Sequence, residues 1–207
     1  MDRERMMREA LAVLKGNWLG RSTKPAPHLY PHQWSWDSAF IAIGHAGVRW
    51  DRAAVELRTL FEAQWTSGLV PHIVFGDGPY DYWPSPDVWN SQACAGAPAA
   101  VATSGICQPP VHAMAARRVF EARPDNEGRS FLSSIFEPMT AWHDYLHRER
   151  AIDGVLAEIW HPWESGMDNS PAWDAPLAAL DPIPEGIAQY VRVDTEVANP
   201  SDRPSDE

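Results

Sequence analysis

Five segments of this chain space their apolar side chains with the period of an α-helix, whereas the alternation typical of strands is scarce. The longest segment carries Phe131, Ile135 and Trp142 on one helical face. A short run, LVPHIVF at 69–75, is the best strand candidate, but its proline disfavours a central strand. The chain therefore predicts an all-α fold, with helices over 3–15, 37–46, 52–65, 110–121 and 129–149.

The ends of these segments carry capping signals. Gly16 follows the first segment, Asp51 suits the N-cap of the third, and Pro110 suits the first turn of the fourth. Residues 37–46 are apolar nearly all round, which predicts a buried helix.

Long loops separate the helices, and they carry most of the aromatic and acidic side chains. Loops of more than about 15 residues are uncommon in compact domains unless they have a function. The sequence holds 11 tryptophans and 19 prolines, and many of the tryptophans stand beside Pro, His or Asp rather than in helical stripes. We therefore expect one all-α scaffold that presents a face built from the loops at 17–36, 66–108 and 151–170.

The last loop contains the stretch WHPWESGMDNSPAWD at 160–174, where tryptophans surround acidic side chains. Gly166 stands between Glu164 and Asp168 and, together with Pro171, predicts an irregular turn instead of a helix. A carboxylate held against tryptophan faces loses hydration, so we expect the raised pKa that a general acid requires at neutral pH. The alternative is that these carboxylates cap a following helix at 170–180.

A second aromatic and acidic cluster, YPHQWSWDSAF, lies at 30–40. Asp37 stands where a helix is expected to begin, so its carboxylate is suited to cap free N–H groups. The other interpretation is a sugar subsite, in which Trp34 and Trp36 stack on a pyranose and the carboxylate binds two hydroxyls. His72 and Gln108 have the same two interpretations, as groups satisfied within their loops or as polar groups in a cleft.

Charge and composition argue against several partners. A formal net charge of −11 repels phosphate backbones, which disfavours nucleic acid. No run approaches the roughly 18 apolar residues of a membrane span, and the N-terminus lacks the apolar core of a signal peptide. With only Cys94 and Cys107, we expect free thiols and a cytoplasmic location.

Motifs for metals, nucleotides and acyl transfer receive no support. His143 and His147 stand four residues apart, which is a ligand spacing, but no HExxH glutamate lies between them. The sequence contains neither GxSxG nor GxGxxG, and no glycine loop ends in GKS or GKT. We therefore expect neither a metal ion nor a cofactor.

Four segments taken together resemble glycoside hydrolase family 63, specifically its bacterial mannosylglycerate and glucosylglycerate hydrolases. They are LYPHQWSWDSAFIAIG, GLVPHIVF, TSGICQPPVHA and HPWESGMDNSPAWD, and the resemblance extends from NWLG near residue 17 to YVRVD at 190–194. It implies the N-terminal half of an (α/α)6 barrel, a six-hairpin toroid with its active site in long loops at one mouth. It also implies inverting hydrolysis of a small α-glycoside.

The resemblance assigns roles to individual residues. In that family the aspartate of the ESGxD segment is the general acid, which corresponds to Asp168. Gly166 is expected to shape the loop behind the acid, and Arg192 is expected to contact the substrate. The other expected substrate-binding residues are Tyr30, Trp34, Trp36, Asp37, His72, Tyr82 and Gln108.

One part of the family pattern has no counterpart in this sequence. The family places a water-activating glutamate in a second half of the chain, and nothing in residues 1–207 resembles that segment. We therefore expect residues 1–207 to be an incomplete catalytic domain, inactive alone and poorly stable because helix faces such as that of 37–46 stay partly uncovered. The polar C-terminal stretch is either a disordered tail or the approach to a further element.

The expected partner is a small carbohydrate, and the sequence leaves a homo-oligomer of the longer form open. Within enzymes, the alternative is a trehalase or an oligosaccharide-trimming glucosidase of the same clan. Outside enzymes, it is a non-catalytic carbohydrate-binding protein. Glucose and mannose differ in the orientation of one hydroxyl, and the sequence favours neither.

Overall fold

The computed structural model describes residues 2–27, 29–77, 82–156 and 158–180. The helices in these ranges are α1 (Arg3–Gly16), α2 (Ser35–Ala46), α3 (Trp50–Glu62), α4 (Pro86–Trp89), α5 (His112–Ala122), α6 (Asn126–Glu149) and α7 (Asp174–Leu177). The strands are two residues each, namely β1 (Gln33–Trp34), β2 (Ile73–Val74), β3 (Ala151–Ile152) and β4 (Val155–Leu156). None of the helices in the described part of the chain combines the length and apolar composition needed to cross a bilayer.

The five expected helices are confirmed as α1, α2, α3, α5 and α6, but some predicted ends are wrong. Asp51 is not the N-cap of α3: Arg49 holds that position, and Asp51 lies in the first turn, 2.8 Å from the Arg49 guanidinium. The fourth helix begins at His112 rather than at Pro110. In place of a helix over 170–180, a 3-10 turn at Pro171–Trp173 leads into the short α7.

Four helices form the core. α2 packs on α3 and α5, and α6 packs against both α3 and α5. The largest fully buried side chains there include Trp142 and Phe131 of α6 and Leu57 and Leu60 of α3, which belong to one apolar cluster. In contrast, α1 buries none of its residues, and its apolar side chains Met6, Met7 and Val13 are exposed.

A short strand pair fastens two of the long loops to each other. β1 and β2 are antiparallel, with Gln33 opposite Val74 and Trp34 opposite Ile73. Next to this pair, the N–H of Ser35 donates to the carbonyl of His72 at 3.0 Å. The strand expected at 69–75 is therefore confirmed for Ile73–Val74 only, and its function is to join the loops that precede α2 and α5.

Apolar side chains remain exposed on α2 and α6. In α2, Ala39 and Ala42 are fully buried, whereas Phe40 is 48% exposed, so this helix is covered on all but one side. In α6, Phe136 is 70% exposed and lies with Leu132 at a shallow groove.

A buried carboxyl links the segment before α2 to α3. The Glu56 side chain is 0% exposed and accepts hydrogen bonds from Thr23 Oγ1 at 2.7 Å, Ser38 Oγ at 2.7 Å and Gln33 Nε2 at 3.1 Å. Burial raises the pKa of Glu56 from 4.5 to about 7, and the hydrogen bonds from Thr23, Ser38 and Gln33 only partly offset that effect. Gln33 belongs to β1, so the Glu56 carboxyl also fixes the strand that contains Trp34.

We expect Glu56→Gln to flatten the pH dependence of folding. Because the pKa is raised in the folded state, the stabilisation from Glu56 is fully present below pH 4.5 and is lost as the pH rises towards 7. The shift corresponds to a loss on the order of 3 kcal/mol, which a permanently neutral glutamine does not show. Urea unfolding at pH 4.5 and pH 8 measures the difference.

The matched control is Glu62→Gln, since Glu62 is an exposed residue at the end of the same helix. It should keep the pH dependence of the wild type. An equal pH dependence in Glu56→Gln and the wild type would show that Glu56 is not the group whose titration destabilises the folded protein.

Candidate active site

The contact between Trp36 and Gly166 brings together the two aromatic and acidic stretches at 30–40 and 160–174. Gly166 has a φ of +67°, in the left-handed region, and ends the 3-10 turn at Pro162–Ser165. A Cβ atom on Gly166 would lie 2.8 Å from Cη2 of Trp36. Only glycine lets the acid loop, defined here as residues 160–170, rest against the indole in this conformation.

Aromatic rings form a cluster on one side of the site. The Trp34 ring meets Tyr82 at 5.1 Å and Tyr30 at 5.1 Å, both edge-on, and the centroids of the two tyrosine rings are 6.4 Å apart. Trp34 itself is 5% exposed, whereas both tyrosines are half-buried. The structure thus brings Tyr30, Trp34 and Tyr82 together, with the tyrosines left partly accessible.

His72 occupies a buried position between the aromatic rings of two loops. Its Nδ1 lies 2.8 Å from Ser104 Oγ, and its ring is 5.7 Å from Trp163 and 5.8 Å from Trp89. Burial, assisted by the nearby His161, lowers the pKa of His72 to about 3. The imidazole is therefore neutral at physiological pH and suited to hydrogen bonding rather than to charge pairing.

Gln108 and Asp37 lie near the start of α2. The Gln108 side-chain oxygen accepts from the N–H of Trp36 at 3.3 Å, which attaches the segment before α5 to α2. Asp37 does not precede the helix, as a capping residue would, because α2 begins at Ser35 with Trp34 as its N-cap. Burial raises the pKa of Asp37 to about 6. Hydrogen bonds from its own N–H and from the Trp36 side chain lower this pKa, but by less than burial raises it.

The two acidic residues of the acid loop have different environments. Glu164 is 5% exposed and pairs with Arg150 at 2.9 Å, whereas Asp168 is half-buried. Burial raises the pKa of Glu164, but hydrogen bonds from Arg150 and from the Trp160 N–H outweigh burial, so its pKa lies below the ordinary value. The expectation of a raised pKa is therefore wrong for Glu164.

Several neighbours of the site were not assigned a role from the sequence. Trp89 lies outside the segments that were assigned a role, and Ser104 and Arg150 show no pattern that would mark them as partners of His72 and Glu164. Trp163 carried a signal, since it stands inside the aromatic acid loop, but its ring contact with His72 depends on the fold.

Two other expectations concern Arg192 and the histidines of α6. Arg192 lies outside the described residues. His143 is half-buried and His147 is exposed, and nowhere in the described ranges do three or more His, Cys, Asp or Glu side chains gather as a metal-ligand set would require.

We expect Gly166→Ala to destabilise the protein more than Gly154→Ala. Both glycines have positive φ, +67° and +80°, so alanine introduces similar backbone strain at either position. A Cβ at Gly154 meets nothing within 4 Å, whereas one at Gly166 must displace Trp36, which adds roughly 1–3 kcal/mol. Urea unfolding of the two variants measures the difference, and equal losses would show that the indole contact is not tight.

Comparison with known proteins shows the family of this chain. Residues 30–207 match the family described as mannosylglycerate hydrolase MGH1-like glycoside hydrolase domain. The mannosylglycerate hydrolase of Rubrobacter radiotolerans is 48% identical over 97% of this chain and 46% of its own length. The glucosylglycerate hydrolase of Mycolicibacterium hassiacum is 45% identical over 95% of this chain and 46% of its own length.

A crystal structure shows the corresponding fold. The GH63 mannosylglycerate hydrolase from Thermus thermophilus, in complex with Tris and D-glycerate, superposes with a TM-score of 0.81 at 43% identity, over 97% of this chain and 46% of that one. This chain thus spans about half the length of the relatives it matches. The all-α fold corresponds to about half of the barrel. The chain belongs to glycoside hydrolase family 63, within the mannosylglycerate hydrolase MGH1-like group.

Proposed function

We propose that this chain forms the acid-bearing half of a hydrolase that cleaves glucosylglycerate or mannosylglycerate with inversion. The observation that carries the proposal is the contact of Trp36 with Gly166, because it joins the WSWD motif to the loop that holds Asp168. This contact supports a site in which stacking faces and an acidic group that binds hydroxyls act together with the general acid of the same loop.

The proposed reaction uses Asp168 as general acid. Its proton passes to the glycosidic oxygen as the bond from that oxygen to the anomeric carbon breaks, and glycerate leaves as the alcohol. A water attacks the anomeric carbon from the opposite face and loses its proton to a second carboxylate, which inverting enzymes place about 6.5–9.5 Å from the acid. In this proposal the second carboxylate lies outside residues 1–207.

The remaining site residues bind the sugar in this proposal. Tyr30, Trp34 and Tyr82 provide amphipathic rings, and the ionised Asp37 accepts hydrogen bonds from sugar hydroxyls. Neutral His72 uses Nδ1 for Ser104, so its Nε2 is the nitrogen for a hydroxyl. Trp36, Gln108 and Gly166 hold the junction together, and Arg192 is assigned to the glycerate carboxylate.

The proposed substrate class follows from the relatives, whose names specify glycerate-linked mannose and glucose. Such sugars are intracellular compatible solutes, so we place the protein in the cytoplasm.

We expect Asp168→Asn to abolish most hydrolysis by the complete protein that carries this chain. Loss of general acid catalysis lowers kcat by about 10²–10⁴-fold for a leaving group that needs protonation. Release of glycerate from glucosylglycerate and mannosylglycerate measures the effect, and the anomer first formed, followed by NMR, reports inversion.

Asp174→Asn is the control, since Asp174 is an exposed carboxylate a few residues further along the chain. It should keep the activity of the wild type. Binding of sugar with no product released by the wild type would indicate a carbohydrate-binding protein instead. Faster cleavage of trehalose or an oligosaccharide would indicate another activity within the same clan.

We also expect Asp37 to set the acid limb of the pH profile. With a pKa of about 6, the carboxylate is protonated below that pH and accepts hydroxyl hydrogen bonds less well. The value of kcat/KM should therefore fall by about tenfold per pH unit below 6. Asp37→Asn should show a lower kcat/KM without this limb, and an unchanged limb would assign the titration to another group.

A further inference from the structure

We propose that Glu164 and Arg150 are positioning residues that hold the acid loop so that Asp168 reaches the glycosidic oxygen. This inference rests on the proposed function, since it concerns how the acid of that reaction is held. Neither residue belongs to the sugar-binding or acid–base groups described above.

The carboxylate of Glu164 is a meeting point of three segments. Its Oε1 accepts from Arg150 Nη2 at 2.9 Å and from both the N–H and the thiol of Cys107 at 3.3 Å. Its Oε2 accepts from the N–H of Trp160 at 2.9 Å and from Arg150 Nε at 3.4 Å. The end of α6, the segment that carries Gln108 and the beginning of the acid loop are thus joined at one side chain.

Arg150 is itself firmly held. It is the C-cap of α6, and its side chain is 4% exposed. Its guanidinium carbon lies 3.6 Å from the centroid of the Trp160 ring and 5.5 Å from that of Tyr145. A guanidinium fixed by stacking and by the end of a long helix presents its N–H groups in one direction, so it determines both the place and the orientation of Glu164.

Local hydrogen bonds carry this orientation from Glu164 to Asp168. Ser165 Oγ donates to the carbonyl of Pro162 at 2.6 Å and accepts from the N–H of Met167 at 2.9 Å. The carbonyl of Met167 accepts from Trp173 Nε1 at 2.9 Å. With Gly166 against Trp36, the short stretch between Glu164 and Asp168 has little freedom to move independently of the ion pair.

A purely stabilising role is the rival explanation, because loss of one member of a buried ion pair usually destabilises a protein. The two explanations differ in one respect. A positioning role affects substrates whose leaving group needs a proton, whereas loss of folded protein reduces the cleavage of every substrate equally. Comparing two leaving groups therefore separates them.

The test uses Glu164→Gln in the complete protein, assayed on a glycerate glycoside and on the glycosyl fluoride of the same sugar. Fluoride departs as a weakly basic anion and gains little from a general acid. We expect kcat for the glycerate glycoside to fall by about 100-fold, as a misplacement near 1 Å can cause, and kcat for the fluoride to change far less. The control is Glu158→Gln, at an exposed glutamate just before the acid loop, and it should leave both kcat values unchanged.

If Glu164→Gln does not fold, Cys107→Ala distinguishes the positioning role from the purely stabilising one. It removes the thiol donor and leaves the ion pair, so it should show the same selective loss at a smaller size. Equal losses on both substrates, or no loss, in a folded variant would overturn the positioning role and leave the proposed function intact. A wild type that cleaves neither substrate would overturn both.

Discussion

The ion pair between Glu164 and Arg150 is the contact on which the loop-built face depends. The helices of the core pack through apolar surfaces, whereas the loops combine aromatic rings with Pro, Gly and polar groups, so their docking also needs polar partners. A charged, buried side chain that bonds to three segments fixes them in register with one another. Burying the Glu164 carboxylate removes its hydrogen bonds to water. This loss is offset because Arg150, Cys107 and the Trp160 N–H replace those hydrogen bonds.

Glu56 and Glu164 are both buried, yet their protonation differs because their partners differ. Glu56 is surrounded by hydroxyl and amide donors that carry no formal charge, so burial dominates and its pKa rises. Glu164 faces a guanidinium and backbone N–H groups, which hold its pKa below the ordinary range in spite of burial. Both glutamates fasten a loop to a helix.

The sequence could predict the parts of the fold that depend on local pattern. Helical periodicity located the five long helices, and the aromatic acidic stretches located the loop face. The N-cap of α3 could not be predicted, because Arg49 holds that position without a side-chain hydrogen bond to the helix, whereas the sequence signal for a cap is a side chain such as that of Asp51. The strand pair β1–β2 is too short for a period to reveal.

Prediction of the site stopped where contacts between distant residues begin. The motif around Asp168 led to a proposed general acid. The tryptophans beside Glu164 suggested a raised pKa, and no local pattern shows that Arg150 and Cys107 meet the carboxylate of Glu164. The Ser35–His112 contact, which spans 77 positions, and the His72–Ser104 contact are of the same kind. Such pairs follow from the packing of distant segments, loops included, and not from spacing along the chain.

The two thiols of the chain differ in a way that follows from the environment of Glu164. Cys94 is exposed, whereas burial, and next the negative charge of Glu164, raise the pKa of Cys107 to about 12. Thiolate is the reactive form, so Cys107 reacts with an alkylating reagent only when local opening exposes the thiol and releases it from the carboxylate of Glu164. The rate of its modification relative to that of Cys94 therefore reports local opening around Glu164.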